Sequence, residues 1–326
     1  MARCSWTLPE AGRLLAVWST VREIVVLNKV VVVTGANAGI GFQAALNLSR
    51  MGAQVVLACR SMDRARKAHG EILAEVPDAR AVIIPLDVSE PASIQEFARQ
   101  FSGQMGQLDL LINNAGIVAT PLARNSVGQE MQLATNYLGA FALTGTLLPF
   151  FTRTTQARIV NVGSLMHRFG KLDLDDLNWE RTPYNEWQGY GRSKVAMLSF
   201  TMELDRRLRK SDSNIIALGA HPGFANTDVA KNSAGLKAQS GLRAWRQKKL
   251  EPLIPTAAEA VRPIIHAATA QGVSGGDYYG PSGFLEIGGK TTKKARVNPV
   301  AKKADVGKRL WTLSETMTGI EYLSDL

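Results

Sequence analysis

Unbroken apolar runs alternate along this chain with stretches whose apolar residues recur every three or four positions. Residues 29–34 (KVVVVT) form a β-branched run with no polar face, which predicts a strand buried on both sides, as in a parallel sheet. A Gly-rich turn follows, then a helical stretch to about residue 51. The pairing recurs, with strands predicted at 54–59 (QVVLAC), 81–86, 108–112, 158–162, 214–218 and 277–279, and helices at 64–76, 89–101, 129–151 and 190–208. Pro77 stops the second helix, while Ser89 and Pro91 suit the start of the third. A last helix is predicted over 305–318, with Val306, Leu310, Leu313 and Met317 on one face and Gly319 as its C-cap. Repeated strand–helix–strand units with short connections mean a single doubly wound α/β domain of the Rossmann type. A seven-stranded, mostly parallel sheet with helices on both faces is expected.

The first strand runs into Thr34-Gly35-Ala36-Asn37-Ala38-Gly39-Ile40-Gly41 (TGANAGIG). Gly35 permits the tight turn, Gly39 lets backbone approach a pyrophosphate, and Gly41 allows helix and strand to close together. The helix then turns its free N–H groups and the positive end of its dipole toward the anion. Three glycines alone carry little weight; here they follow a buried strand and open a helix, the context that phosphate binding needs. Asn37 and Ile40 lie inside the same turn and count among its dinucleotide contacts.

The end of the second strand selects the dinucleotide. An acidic residue there would favour NAD through the ribose 2′-OH, but Cys59 and Arg60 occupy that place, and Asp63 sits past the turn. No carboxylate repels a 2′-phosphate, and the Arg60 guanidinium can meet one with a planar fork of donors. Arg64 or Arg66 adds charge. NADP(H) is therefore expected in preference to NAD(H).

With 45% hydrophobic and 20% charged residues in 326, the chain has the core of one α/β domain with extra segments, and is not intrinsically disordered. Cys4 and Cys59 exclude a disulfide framework and a four-cysteine zinc site, the four histidines lack ligand spacing, and no metal is expected. A reducing, cytoplasmic setting fits. The net charge of +10 is uneven: residues 231–249 hold six basic and no acidic residues, and 290–309 hold eight basic and one acidic. These segments read as a solvated flap and tail, with peripheral contact at an anionic membrane surface as the functional alternative. Aromatic interleaving and helix-turn-helix patterning are missing, so nucleic-acid binding is not expected.

No run of eighteen uncharged apolar residues predicts a membrane span. Residues 14–21 after Arg3 and Arg13 resemble a weak signal sequence, but Arg22 and Glu23 follow and no small-residue cleavage site is evident. The chain is thus divided into an N-terminal extension (1–28), a Rossmann domain (29–285) with a lid at about 225–255, and a basic C-terminal tail (286–326) carrying the terminal helix.

Over about residues 28–228 the sequence resembles the short-chain dehydrogenase/reductase family. The motifs agree in order: TGANAGIG at 34–41, Asp87 after the third strand, NNAG at 113–116, Asn136 in TNYLG, Ser164, Tyr190 with Lys194 in YGRSK, and PGFANT at 222–227. Tyr190 and Lys194 are four apart on a predicted helix and share a face. A phenol near pKa 10 is a poor base at neutral pH, and a nearby ammonium should favour its ionised form. Tyr190 then acts as general acid or base on a substrate carbonyl or hydroxyl, with Ser164 donating to the same oxygen. The resemblance further implies that Lys194 holds the nicotinamide ribose, that Asn136 anchors a water relaying protons to Lys194, and that Asp87 contacts the adenine. It implies too that Asn113, Ala115 and Gly116 flank the ribose, and that Pro222, Gly223 and Thr227 hold the nicotinamide amide.

Bland alternatives exist for each residue. Tyr184 has Gln188, not lysine, four residues on; His221 reads as a loop residue near the cofactor, and the tryptophans as packing. Ser164 and Tyr190 lie 26 positions apart, and the long insert between them is similar to the retinol dehydrogenase-like branch, which handles lipophilic alcohols, aldehydes and ketones. Ala140 and Gly163 depart from residues common in that branch. The expected function is NADP(H)-dependent interconversion of a lipophilic carbonyl and its alcohol. The rival is a non-enzymatic NADP(H)-binding regulator on the same fold, which would have no need of Asn136, Ser164, Tyr190 and Lys194 together. The apolar helices after Gln129 and Tyr190 are candidates for a symmetric dimer face.

Overall fold

The computed structural model describes residues 26–153, 157–224 and 255–323. The N-terminal extension up to residue 25, nearly all of the expected lid, and Thr227 lie outside them.

Eight strands form one sheet in the order β3-β2-β1-β4-β5-β6-β7-β8. They are β1 Val30–Thr34, β2 Gln54–Cys59, β3 Arg80–Pro85, β4 Leu110–Asn113, β5 Arg158–Val162, β6 Ile216–Ala220, β7 Tyr278–Pro281 and β8 Thr292–Lys294. The first seven pair in parallel. One strand more than expected closes the edge: β8 runs antiparallel to β7, Tyr279 opposite Lys294. Its sequence, TKK, has no buried face and so gave no strand pattern.

Alternation in β1 explains its uniform apolarity. Val30 and Val32 enter one core layer, with Phe97, Phe101, Phe141 and Phe200; Val31 and Val33 enter the other, with Leu46, Leu48, Ile72 and Ile264. The helices covering the sheet include α1 Gly39–Arg50, α2 Met62–Glu75, α3 Pro91–Gln104, α4 Gly139–Leu147, α5 Glu186–Lys210, α6 Arg262–Thr269 and α7 Ala304–Thr318. The single helix expected over 129–151 is instead built in pieces. A short α-turn, Met131–Leu133, leads into a π-helical turn, Ala134–Leu138, and then α4; beyond it Leu148–Arg153 is 3-10 helix. The π-turn holds Asn136, and Gly139 directly after it comes so near the loop following β3 that a Cβ there would meet Val88 O at 2.0 Å. A π-bulge re-aims a side chain without ending a helix.

The segment after residue 285 packs into the body rather than trailing from it. On α7 the buried residues are Gly307, Leu310, Trp311 and Ser314, whereas Val306, Leu313 and Met317 are only half-buried. Leu310 is buried as expected, but the rest of the stripe is rotated toward Trp311. Its ring packs on Phe141 (5.0 Å) and Phe200 (5.9 Å), with the Arg207 guanidinium 4.4 Å from its centre. Tyr322 adds to the cluster and donates to Phe141 O at 3.1 Å. Phe141 of α4 and Phe200 of α5 are thus covered by the chain's own C-terminal residues. Gly319 takes the left-handed φ of 67° that its capping role requires.

Candidate active site

The carboxyl ends of β1, β2, β4, β5 and β6 open onto one cleft of about 480 Å³. Its glycine-turn end is shaped by steric demand. Gly35 and Gly39 have φ of 65° and 54°, and a Cβ on Gly41 would lie 2.3 Å from Gly35 O. The first turn of α1 carries no acidic residue, and its N-cap, Ala38, offers no side-chain acceptor, so the helix N–H groups stay available to an anion. Gly35, Asn37, Gly39, Ile40 and Gly41 all line the cleft.

Arg60, Ser61, Arg64 and Asp87 line the end beside β2 and β3. Arg60 Nη1 lies 3.4 Å from Asp87 Oδ2, but the Arg60 side chain is 67% exposed, so this contact binds it weakly and leaves it free to turn to a ligand. Asp87 is held by Ser89, which donates from both its backbone N–H (3.0 Å) and its hydroxyl (2.6 Å). Cys59 is buried, and desolvation pushes its thiol up to about 11, so it is packing rather than a reactive group.

Asn113 and Asn114 divide the NNAG motif between core and cleft. The Asn113 amide is buried, donating to Thr144 Oγ1 and Asn161 Oδ1, and does not reach the cleft. Asn114 lines the cleft and donates to Thr34 O at 2.9 Å, tying the phosphate turn to β4. Thr34 Oγ1 in turn accepts the N–H groups of Asn114 and Ala115. Asn113, the residue expected at the ribose, is the last of β4 and points into the core, while Asn114 just past the strand end lines the cleft. Ala115 and Gly116 line the cleft beside it.

Tyr190 and Lys194 line the other end, and Ser164 directly follows the lining residue Gly163. Tyr190 and Lys194 project from α5, which starts at Glu186 with Asn185 capping the Gln188 N–H, a turn earlier than expected. Tyr190 lines the cleft while remaining 8% exposed. Burial raises its pKa, and the hydrogen bond from Ser164 works the other way. Lys194 Nζ is 5.8 Å from the Tyr190 ring centre and donates to Val162 O at 3.0 Å. Burial pulls this ammonium down to about 8. The expected lowering of the Tyr190 pKa by Lys194 is therefore not seen in the chain alone: the ammonium is aimed at a backbone carbonyl, and desolvation outweighs it.

Asn136 sits just behind. It donates to Ile117 O and Ser193 Oγ, both at 2.9 Å, and accepts the Ile117 N–H at 2.8 Å, so both amide protons are used. A Cβ on Gly116 would lie 3.1 Å from Asn136 Oδ1 and 3.7 Å from Lys194 Nζ, which brings these three residues to one point. Pro222 closes the cleft, with Gly223 following at φ 79°.

A Cβ on Gly163 would lie 2.3 Å from the buried Tyr278 phenol oxygen, which explains why this position before Ser164 carries no side chain. Gly163→Ala is expected to destabilise the protein by about 1–3 kcal/mol through overpacking. Adding Tyr278→Phe removes the nearest atom and should restore part of the loss. Melting temperatures of the two single variants and the double variant check this, and strictly additive shifts would count against it.

The insert between Ser164 and Tyr190 is stapled to the body. Asp176 accepts from the backbone N–H groups of Glu180, Arg181 and Thr182 and from the Thr182 hydroxyl, and Arg192 stacks 3.7 Å over Trp179. The Tyr184 phenol is held among Gln132, Thr120 O and Glu130, outside the cleft. Buried Trp179 and Trp311 serve packing.

A family model for the short chain dehydrogenases matches residues 29–236. The chain belongs to this family. Among curated relatives, human retinol dehydrogenase 13 is 35% identical over 296 residues, spanning 90% of this chain and 85% of that protein. Bovine retinol dehydrogenase 12 is 34% identical over 302 residues, spanning 92% and 89%. A solved protein of Mycobacterium paratuberculosis is 34% identical, with a TM-score of 0.74 over 92% of this chain and 97% of that one. The short chain dehydrogenase described here is thus retinol dehydrogenase-like, an oxidoreductase acting on CH–OH donors. Family members work with a nicotinamide cofactor, and the cleft fits one: the glycine turn has the close backbone approach and free helix N–H groups that a dinucleotide needs. No described helix is long and apolar enough to cross a membrane, and no described cluster of His, Cys, Asp and Glu has metal-binding geometry.

Proposed function

We propose that this enzyme uses NADP(H) to interconvert a lipophilic carbonyl compound and its alcohol, running as a reductase. The observation that carries the reading is the presence of Tyr190 and Lys194 at one end of a cleft, with Ser164 directly after the lining residue Gly163, while the other end presents Arg60 and Arg64 without an acidic residue at the close of β2. When bound, the dinucleotide supplies hydride at its nicotinamide ring.

The protein's share is binding, orientation and proton transfer. Gly35–Gly41 and the start of α1 would hold the pyrophosphate, Asn37 and Ile40 included; Arg60 would meet the 2′-phosphate, and Asp87 the adenine. Ala115 and Gly116 would flank the ribose, with Asn114 taking the place assigned to Asn113. Pro222, Gly223 and Thr227 would hold the nicotinamide amide. The Ser164 hydroxyl would orient the substrate oxygen and Tyr190 would give it a proton. Burial keeps this phenol protonated at neutral pH, the form that reduction needs. Lys194 would stabilise the phenolate left behind, and the Asn136 region would pass a proton back to it.

Exposed Phe169, Phe224 and Phe284 lie outside the cleft lining, and peripheral contact with a membrane surface belongs to the same reading. The test is oxidation of NADPH and of NADH by the purified chain against retinals, steroids, aliphatic aldehydes, quinones and sugars. NADPH-dependent turnover of the apolar members is expected. NADPH binding without turnover of any of them would favour the regulator.

A further inference from the structure

Two buried residues and one half-buried residue, all outside the catalytic set, form a connected cluster beside the cleft. Glu286 is 4% exposed and His221 0% exposed. Arg168 Nη2 donates to Glu286 Oε2, and Arg168 Nη1 donates to Leu285 O at 3.2 Å. His221 Nε2 lies 3.2 Å from the same Glu286 oxygen, while Glu286 Oε1 accepts the Arg296 N–H at 3.3 Å. His221 Nδ1 accepts the Gly223 N–H at 3.1 Å, so Nε2 carries the ring proton and donates to Glu286.

The connections matter because of what each residue is attached to. Arg168 ends the 3-10 turn Leu165–Arg168, which begins directly after Ser164. His221 follows β6 and leads into Pro222 and Gly223. Glu286 comes from the turn after β7, and it and Leu285 both take left-handed backbone, φ 62° and 51°. Non-glycine residues in that region are strained and persist only where the surroundings hold them. Phe224 N–H to Ile287 O, at 2.8 Å, binds the same two segments again.

We propose that Glu286 is a positioning residue: by gripping His221 on one side and Arg168 on the other, it fixes the Pro222–Gly223 loop against the turn that carries Ser164. This rests on the reading above, in which Ser164 orients the substrate oxygen and Pro222–Gly223 holds the nicotinamide. Under it, Glu286 sets how the nicotinamide ring meets the reacting carbon without touching either one. Misplacement of about 1 Å costs on the order of 100-fold in rate.

The experiment compares wild type, Glu286→Gln, Glu286→Asp and Arg168→Met in the full chain. The readouts are kcat with an apolar aldehyde, and binding of NADPH and of 2′,5′-ADP, which carries only the adenosine half. Glu286→Gln is expected to lower kcat by about 10–100-fold and weaken NADPH, while 2′,5′-ADP binds as to wild type. Glu286→Asp should recover part of the rate, and Arg168→Met should show the same pattern more weakly. Unchanged kcat in both Glu286→Gln and Arg168→Met overturns the proposal. So does a parallel loss of melting temperature and 2′,5′-ADP affinity, which marks a merely structural role. If wild type itself lacks turnover, the functional reading fails first, separately from this one.

Discussion

Tyr190→Phe is expected to fold, bind NADPH as wild type does, and turn over its carbonyl substrate about 10³-fold more slowly. The ring is buried and would keep its packing; only the phenol oxygen is lost. Neither neighbouring phenol can replace it. Tyr184 is committed to Thr120 O, Glu130 and Gln132, and Tyr278 lies buried behind Gly163 with its pKa pushed far above the usual phenol value by desolvation. Burial also raises the Tyr190 pKa, so at neutral pH the group is the acid that reduction requires. Steady-state NADPH oxidation together with fluorescence titration of NADPH checks the result. A variant that keeps wild-type turnover would remove the proton-transfer role.

Arg60→Asp should invert the cofactor preference. Under the proposed NADP(H) reading, loss of one charge-assisted contact to the 2′-phosphate and gain of a repelling carboxylate should together lower the NADPH:NADH ratio of kcat/KM by on the order of 100-fold. Arg60 is largely exposed and its contact with Asp87 is loose, so the substitution costs little stability. The new carboxylate stands where it can accept from a ribose 2′-OH, so NADH turnover should rise as NADPH turnover falls. Equal losses with both cofactors would mean that Arg60 reads neither, and Arg64, which lines the same end, would be the next residue to change.

Short-range pattern made much of this readable. β2 and β5 fall at 54–59 and 158–162 as their apolar runs predict. The glycine turn was legible because φ above zero and close backbone approach leave glycine almost no substitute. Tyr190 and Lys194 were legible because helical spacing puts them on one face. Side chains whose neighbours come from distant segments were not. Asn113 was singled out and Asn114 passed over, since Asn113 is claimed by Thr144 and Asn161, which lie 31 and 48 positions away. Glu286 carried no signal, because its partners Arg168 and His221 are far away in sequence.

The chain's own letters determined that a doubly wound sheet forms, where the glycine turn lies, and which helix bears the phenol and the ammonium, since each follows from spacing within some ten residues. Only the tertiary structure decided that Lys194 is aimed at Val162 O rather than at the phenol, that Trp311 and Tyr322 cover the face of α4 and α5, and that Tyr278 forbids a side chain at Gly163. Desolvation and close packing act between segments distant in sequence, and neither leaves a periodic trace along it.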